Sequence, residues 1–271
     1  MSRPSWLALA AIALWSSLAA LAVKLRHIPP FLLLGSALMI GGLAGARSIT
    51  ARGLTPRVVL VGVYGLFAYH FCLFMALRLA PPIEANLLNY LWPLLIVLLS
   101  PFFTAERPRV RHVAGASLGF AGAILLIGRG ADAAAGAWAG YGLAVAAALI
   151  WSTYSLMTKR MGGVPTSAVA VFCLAAGALS LACHAIFEPP GALRAVDAPW
   201  ILATGLGPMG AAFYLWDRAM KDGDPRAIGT LAYLSPLFST LVLAICGQGR
   251  LTPAAAVSGA MIVAGAALGS R

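Results

Sequence analysis

The sequence predicts an all-α membrane protein in which ten transmembrane helices form two inverted five-helix repeats around a central cavity. Three observations support this prediction. The chain is 61% apolar and only 10% charged, whereas soluble domains carry about 25% charged residues. Apolar runs of about 20 residues, the length that crosses a hydrocarbon core, recur from one end of the chain to the other. The chain also contains an internal repeat that spans an odd number of these runs.

The repeat is visible as two sets of matches at fixed offsets. Residues 7–17 (LALAAIALWSS) match residues 143–153 (LAVAAALIWST) at an offset of 136. Residues 90–94 (YLWPL) match residues 233–237 (YLSPL) at an offset of 143. The change of offset implies seven extra residues in the second half, which we predict between the seventh and eighth spans, around residues 188–197.

The apolar runs define the predicted spans. Only helices and closed barrels satisfy the backbone in lipid, and these runs lack the alternation of barrel strands, so we predict helices. The first repeat then occupies residues 1–130 and the second residues 131–271. The predicted spans are 5–23, 30–46, 58–79, 82–103, 110–128, 137–158, 166–187, 199–220, 225–246 and 253–270.

The distribution of Lys and Arg predicts the orientation of these spans. Ten spans place both termini on one side, and that side holds 13 Lys and Arg against 6 on the other. We name it the basic side and predict that it is cytoplasmic, because cytoplasmic loops carry the excess of positive charge. Since each repeat has five spans, the second half is inverted relative to the first, an arrangement common among transporters.

Several other classes of function are disfavoured. The net charge of +11 comes from residues scattered over span ends, without a continuous basic face, so no nucleic-acid partner is predicted. His70 and Cys72 lack further ligands nearby, so neither a metal nor a cofactor is predicted. The sequence has no HExxH motif, paired intramembrane Asp or Ser–His spacing, so we predict that the protein is not an enzyme.

Aromatic and polar side chains cluster near the middle of spans 1, 3, 4, 6, 8 and 9. Such aromatic residues usually lie at the membrane interfaces. At mid-membrane a Tyr hydroxyl or Trp N–H needs a partner and should face the interior, so these residues predict a substrate-binding cavity. Core packing is the alternative for each residue alone. The candidates are Trp15, Tyr69, His70, Asn86, Tyr90, Trp92, Trp151, Tyr154, Tyr214 and Tyr233.

Helix-breaking residues near the same level predict hinges. Pro93 and Pro236 each remove a helical hydrogen bond in mid-span, and Pro208 and Gly210 lie in a stretch rich in glycine. A static kink is the alternative for each. His70 is the one ionisable side chain that we place near the midplane, either as a buried core residue or as a ligand contact or protonation site. A cavity without fixed charges suits a neutral or zwitterionic solute with an apolar body.

These features resemble a known family over essentially the whole chain. The ten spans, the five-plus-five duplication, a Pro in the fourth span of each half and Glu106 just after the fourth span resemble the drug/metabolite transporter superfamily, EamA type. Within it, residues 89–94 (NYLWPL), 150–154 (IWSTY) and 214–217 (YLWD) are similar to the YddG-like exporters of aromatic and other apolar amino acids.

The resemblance implies a secondary transporter that exports amino acids and related metabolites across the bacterial inner membrane by alternating access. Its partners would be the amino-acid substrate and the lipid bilayer. Export of another solute class in the same fold, such as cationic drugs or sugar derivatives, is the alternative. Residues 247–250 (GQGR) depart from the Gly-Glu that many members carry after the ninth span, so substrate choice stays open. Neither the residues nor the resemblance indicates an oligomeric state.

Overall fold

The computed structural model describes residues 2–105, 107–127, 137–246 and 253–270, and every regular element in these residues is helical. The predicted all-α class is therefore confirmed for this part of the chain. The α-helices are α1 (Arg3–Ser16), α2 (Leu18–Lys24), α3 (Pro30–Gly45), α4 (Pro56–Val63), α5 (Tyr69–Leu79), α6 (Pro82–Asn89), α7 (Trp92–Phe103), α8 (Val110–Ile127), α9 (Trp138–Arg160), α10 (Ala168–Phe187), α11 (Ala198–Leu206), α12 (Ala212–Asp222), α13 (Pro225–Leu231), α14 (Leu234–Ile245) and α15 (Pro253–Gly269).

Four shorter helical turns complete the described secondary structure. One-turn π-helical segments, Tyr64–Ala68 and Gly207–Ala211, join α4 to α5 and α11 to α12. Two 3₁₀ turns, Ala46–Ser48 and Ala195–Asp197, lie in the connections before α4 and α11. The helices therefore form longer runs, several of which are interrupted near their middle.

Five helical segments among the described residues are long and apolar enough to cross a membrane. The shorter apolar helices Val110–Leu125 and Ala256–Gly269 accompany them. The predicted count of ten spans stays a prediction, because the other runs are short or broken. The five segments are Pro30–Ser48, Pro56–Leu79, Ala85–Phe103, Trp138–Arg160 and Ala168–Phe187.

The internal repeat recurs in the interruptions of the helices. The π turns at residues 64–68 and 207–211 are separated by an offset of 143. The break between α6 and α7 at residues 90–91 has its counterpart between α13 and α14 at residues 232–233. By contrast, the break between α1 and α2 at Ser17 has no equivalent in the continuous helix α9.

The extra residues of the second half do not lie where the offsets predicted. The connection before α4 (46–55) and the connection before α11 (188–197) have the same length. Instead, α10 has 20 residues against 16 in its counterpart α3. The loop before α10 (161–167) is also longer than the loop before α3 (25–29). The prediction of an inserted loop was therefore wrong, and a longer helix absorbs most of the difference.

Corresponding helices of the two halves pack against each other. Helix α3 packs on α10 and α8 packs on α15, while α5, α6 and α7 contact α9 in the way that α12, α13 and α14 contact α1. The α8–α15 pair is especially close. A Cβ added at Gly115 or Gly265 would lie 2.6 Å from the carbonyl oxygen of the other residue. Glycine at both positions thus allows direct backbone contact, as in lipid-embedded helix pairs.

The perimeter of the bundle exposes large apolar side chains. Leu60, Phe102, Ile186 and Ile245 are each more than two-thirds exposed. Water-soluble monomers rarely expose contiguous apolar surface of this kind. A hydrocarbon environment would cover it without cost, in agreement with the apolar helices.

Three predictions fall outside the described residues. They concern Glu106 after the fourth predicted span, the repeat boundary between residues 130 and 131, and the GQGR segment at residues 247–250.

Candidate solute-binding cavity

A cavity of about 400 Å³, which we name the central cavity, lies among α1, α2, α5, α6, α7, α9, α12, α14 and the second π turn. Its volume lies within the range of small-molecule sites, about 300–1,000 Å³. Seven of the ten predicted residues line it: Trp15, Tyr69, His70, Asn86, Tyr90, Trp92 and Trp151. The other lining residues are Leu18, Leu73, Asn89, Met209, Phe213, Ser235, Pro236, Ser239 and Thr240.

Three tryptophans, Trp15, Trp92 and Trp151, line one wall of the central cavity. Trp216 does not line it but packs against these rings and completes a cluster of four. The ring centroids are 5.5 Å apart for Trp15 and Trp151, 5.2 Å for Trp15 and Trp216, and 5.6 Å for Trp92 and Trp216. Aromatic pairs attract each other at such separations. The four rings come from α1, α7, α9 and α12, so this tryptophan cluster joins both halves of the chain.

Hydrogen bonds fix two rings of the tryptophan cluster. The Trp15 Nε1–H group donates to the Pro208 carbonyl at 3.1 Å, and the Trp216 Nε1–H group donates to Ser155 Oγ at 3.0 Å. Pro208 belongs to the second π turn, which interrupts the regular α-helical hydrogen bonds. A buried Trp N–H group requires a hydrogen-bond partner. Trp15 of the first half thus obtains this partner from an irregular turn of the second half.

A second group of lining residues is polar, and we name it the polar wall. Asn86, Asn89 and Tyr90 come from the end of α6, and Ser235, Ser239 and Thr240 come from α14. The Asn89 Nδ2 group donates to the Tyr69 hydroxyl at 3.3 Å, whereas Asn89 Oδ1 is buried without a protein partner. A buried amide oxygen without a hydrogen bond is costly, so Asn89 Oδ1 is available to accept one from a bound solute.

Asn89 was absent from the predicted set although it shares a helix face with Asn86 and Tyr90. The spacing of these three residues, i, i+3 and i+4, is the spacing of one helical face. That periodicity could have identified Asn89. Ser235 and Ser239 of α14 have the i, i+4 spacing as well, so the same periodicity could have identified them.

His70 lines the central cavity among aromatic rings. It is buried, and its ring centroid is 4.8 Å from that of Tyr69 and 6.2 Å from that of Phe213. Its Nδ1 atom is hydrogen bonded to the Leu66 carbonyl in the first π turn. Because a carbonyl only accepts, Nδ1 carries the proton, and Nε2 of a neutral ring is left as an acceptor.

Three predicted tyrosines do not line the central cavity. Tyr154 is buried behind Trp151, with its ring centroid 5.5 Å away. The Tyr214 hydroxyl donates to the Gly41 carbonyl at 3.2 Å, and the fully buried Tyr233 hydroxyl accepts the Leu94 N–H group at 3.1 Å. The hydroxyls of Tyr214 and Tyr233 join neighbouring helices, a role that mid-span position alone could not distinguish from contact with a solute.

The predicted hinge residues lie at irregular points of the backbone. Pro93 and Pro236 lie in the first turns of α7 and α14, just after the two helix breaks. The N–H groups of a first turn have no partner within the helix, so the prediction that each proline removes a helical hydrogen bond was wrong. Pro208 and Gly210 form part of the second π turn. A Cβ at Gly210 would lie 2.2 Å from the Gly205 carbonyl oxygen, so this turn requires glycine.

Toward the basic side, a polar network closes the bundle below the tryptophan cluster. Asp217 Oδ2 accepts hydrogen bonds from Thr166 Oγ1 and from Lys221 Nζ, both at 2.7 Å. Lys221 Nζ also donates to the Val164 carbonyl at 2.9 Å, and Lys159 Nζ donates to the Lys221 carbonyl at 3.0 Å. We name these five residues the basic-side seal.

A second buried carboxylate, that of Glu188, lies at the opposite side. Its oxygens accept the backbone N–H groups of Phe31 at 3.0 Å and Leu32 at 3.3 Å, so it caps the N-terminus of α3. It also binds Arg78 Nη2 at 2.8 Å and His184 Nδ1 at 2.9 Å. Over the described residues, no cluster of three His, Cys, Asp or Glu side chains is arranged to hold a metal ion.

The sequence matches the model of the EamA-like transporter family twice, over residues 3–128 and 138–271. The chain belongs to the EamA-like transporter family. The two matched segments cover the two halves defined by the internal repeat. A crystal structure of a protein 44% identical to this chain superposes with a TM-score of 0.95 and covers 99% of this chain and 98% of that one.

Three relatives of the family carry the names of exporters. The aromatic amino acid exporter YddG of Ancylobacter novellus is 46% identical, over 99% of this chain and 98% of its own length. The protein of that name from Salmonella typhimurium is 26% identical, over 90% and 88% of the two chains. A probable terminal-alkyne amino-acid exporter of Streptantibioticus cattleyicolor is 29% identical, over 85% and 77%. The resemblance drawn from the motifs is confirmed.

Proposed function

We propose that this chain is a secondary transporter that exports aromatic and other apolar amino acids, and related metabolites, across the bacterial inner membrane by alternating access. The observation that carries the proposal is the central cavity, which sets the tryptophan cluster against the unpaired amide oxygen of Asn89. Similarity over 99% of the chain to a protein named an aromatic amino acid exporter supports it.

The chemistry of the central cavity matches a zwitterion with an apolar body. The rings of Trp15, Trp92 and Trp151 provide an aromatic surface for the side chain, and their faces also attract an ammonium group. Asn89 Oδ1 is a further acceptor for that ammonium. Hydroxyl and amide donors of the polar wall suit the carboxylate. No Asp, Glu, Lys or Arg is among the described residues that line the cavity, which disfavours multiply charged solutes.

The site residues have distinct roles in this proposal. The apolar body of the solute contacts Trp15, Trp92, Trp151 and Tyr69, while polar side chains of the cavity bind its ammonium and carboxylate groups. Tyr154, Tyr214 and Tyr233 support the lining from behind. The breaks beside Pro93 and Pro236 and the π turn with Pro208 and Gly210 are the hinges. The polar side chains that bind the ammonium and carboxylate groups are His70, Asn86, Asn89 and Tyr90.

In the proposed topology, each of ten helical runs crosses the bilayer and both termini are cytoplasmic. The excess of Lys and Arg on the basic side supports this orientation. The central cavity extends toward the opposite side through Asn86, Ser239 and Thr240, while the basic-side seal closes it below. The structure then corresponds to the state that faces away from the cytoplasm, and exchange of the conformations of the two inverted halves would produce the other state.

Counterflow in proteoliposomes tests the proposal. Proteoliposomes preloaded with unlabelled tryptophan should accumulate labelled tryptophan and phenylalanine. A panel of amino acids, assayed with and without a pH gradient, would define the substrate range and show whether transport is coupled to protons. Trp92→Ala should lower the uptake about tenfold, the effect of losing about 1.4 kcal/mol of binding. Trp138→Ala, which removes an exposed perimeter tryptophan, is the matched control and should leave uptake unchanged.

Other solutes decide between this proposal and the alternatives in the same fold. If the vesicles move no amino acid but do move a quaternary ammonium dye, the transporter serves cationic drugs. Uptake of a labelled sugar derivative in place of amino acids would indicate the other alternative.

A further inference from the structure

A second cavity of about 490 Å³, which we name the side cavity, lies beside the central cavity between α2, α3 and α5. The two cavities share five lining residues: Leu18, Tyr69, His70, Leu73 and Met209. Only this layer of side chains therefore separates them. A solute that leaves the central cavity between α2 and α5 enters the side cavity directly.

The chemistry of the side cavity differs from that of the central cavity. Its wall is mostly aliphatic, with residues such as Leu21, Leu33 and Ala37, and it lacks the amides and serines of the central cavity. Its polar groups lie at its two ends. Tyr69, His70 and Thr204 are found toward the middle of the bundle, and Arg26 and Arg78 at the opposite side. An apolar body fits the wall, and a polar group is needed at the arginine end.

The two arginines differ in their partners. Arg78 forms an ion pair with Glu188 at 2.8 Å, whereas no ion pair of the described residues includes Arg26. The neighbouring carboxylate of Asp197 is bound to His27 at 2.9 Å and to Arg194 at 3.1 Å. The mouth of the side cavity thus has a guanidinium group without a counter-charge, and a carboxylate or other anionic group would complement it.

We infer that the side cavity is a second binding site for the transported amino acid, occupied on the way out. The apolar side chain lies along the aliphatic wall, and the carboxylate pairs with the Arg26 guanidinium. This assignment rests on the proposed function and adds a site to it. The shared layer at Tyr69 and His70 favours the transported solute as occupant, because the same molecule reaches both cavities. An anionic lipid headgroup has the same charge complementarity, and the experiment separates the two.

Equilibrium binding of labelled L-tryptophan to the purified full-length protein in lipid nanodiscs tests the assignment. Two molecules should bind per chain in neutral discs and in discs that contain phosphatidylglycerol. Arg26→Gln changes an exposed residue and should reduce the number of tryptophan molecules bound per chain to one. Leu33→Trp, which fills the side cavity, should have the same effect. Arg194→Gln, an arginine on the same side that does not line the cavity, should leave two. Tryptamine, which lacks the carboxylate, should bind once.

Each contrary result has a separate meaning. One bound tryptophan in a wild-type protein that still exports it would overturn the second site and leave the proposed function intact. Two bound molecules in both Arg26→Gln and Leu33→Trp would also overturn it. A second tryptophan seen only in neutral discs would assign the side cavity to an anionic lipid instead. If no amino acid binds and none is transported, the proposed function fails together with the second site.

Discussion

The two ends of the molecule each bury a carboxylate, and the two carboxylates are bound differently. The side chains of Glu188 and Asp217 are at most 1% exposed. Both oxygens of Glu188 are hydrogen bonded, to two backbone N–H groups of α3, to Arg78 and to His184. In Asp217 only Oδ2 is bonded, and Oδ1 is buried without a partner. The opposite-side carboxylate is therefore fully satisfied, and the basic-side carboxylate is not.

The cations that pair with these carboxylates differ as well. The Arg78 side chain is 37% exposed, whereas that of Lys221 is 5% exposed. If its pair is broken, Arg78 can be solvated, but Lys221 stays buried. Glu188 thus fixes the start of α3, a structural role, while Asp217 neutralises a charge inside the basic-side seal. In a transporter that opens alternately to each side, the seal is the part that must separate.

Asp217→Asn should have the largest effect on stability. It leaves the Lys221 ammonium buried without a counter-charge, which should lower the free energy of unfolding by about 3–5 kcal/mol. Combining it with Lys221→Met removes the charge and should restore most of the loss. Unfolding in detergent, followed by circular dichroism, measures both variants. A double variant no more stable than the single one would show that the charge is not the cause.

Glu188→Gln should cost less, about 2 kcal/mol, because Arg78 regains water and the amide oxygen still accepts from α3. The same unfolding measurement applies. Asp222→Asn is the control, since its pair with Arg218 is on the surface, and it should change stability by less than about 1 kcal/mol. A loss at Glu188 greater than that at Asp217 would reverse the comparison between the two ends.

Trp216→Phe examines the hydrogen bond that joins the tryptophan cluster to Ser155 of α9. It keeps an aromatic ring but removes the donor to Ser155 Oγ, so we expect a loss of about 1 kcal/mol in unfolding free energy. Trp138→Phe, at an exposed position, should be neutral. Equal stability of the two variants would mean that the Ser155 hydrogen bond contributes nothing.

The smallest effect should come from acid titration of Asp197, in the turn before α11. Its hydrogen bond with His27, helped by Arg194, holds the pKa of Asp197 below its ordinary value. The group therefore stabilises the fold above the unfolded pKa of about 3.9, and the contribution disappears as pH falls through the lower folded value. Melting curves should show wild type more stable than Asp197→Asn at pH 7, with the difference shrinking near pH 3. A constant difference would contradict this.

The sequence predicted those parts of the site that depend on position along a span. Trp15, Trp92 and Trp151 were found because each lies in mid-span, and the breaks before α7 and α14 because Pro93 and Pro236 follow them. The break at Ser17 has no proline and was missed. The first π turn was not predicted, since Tyr64–Ala68 has no proline. The role of Glu188 was also missed, because its partner Arg78 is 110 residues away. Contacts over such distances leave no local pattern in a single sequence.

The two π turns have a further consequence for how the cavity lining is chosen. A π turn accommodates one residue more than an α-helical turn, and each residue of an α-helix turns the chain by about 100°. Tyr69 and His70 follow the first π turn, and Phe213 follows the second. Deleting one residue from a π turn would rotate these rings by about 100° away from their present direction and bring other faces of α5 and α12 toward the cavity. A single-codon deletion or insertion in a π turn would therefore change which side chains face the solute. No other residue of the chain would have to be substituted.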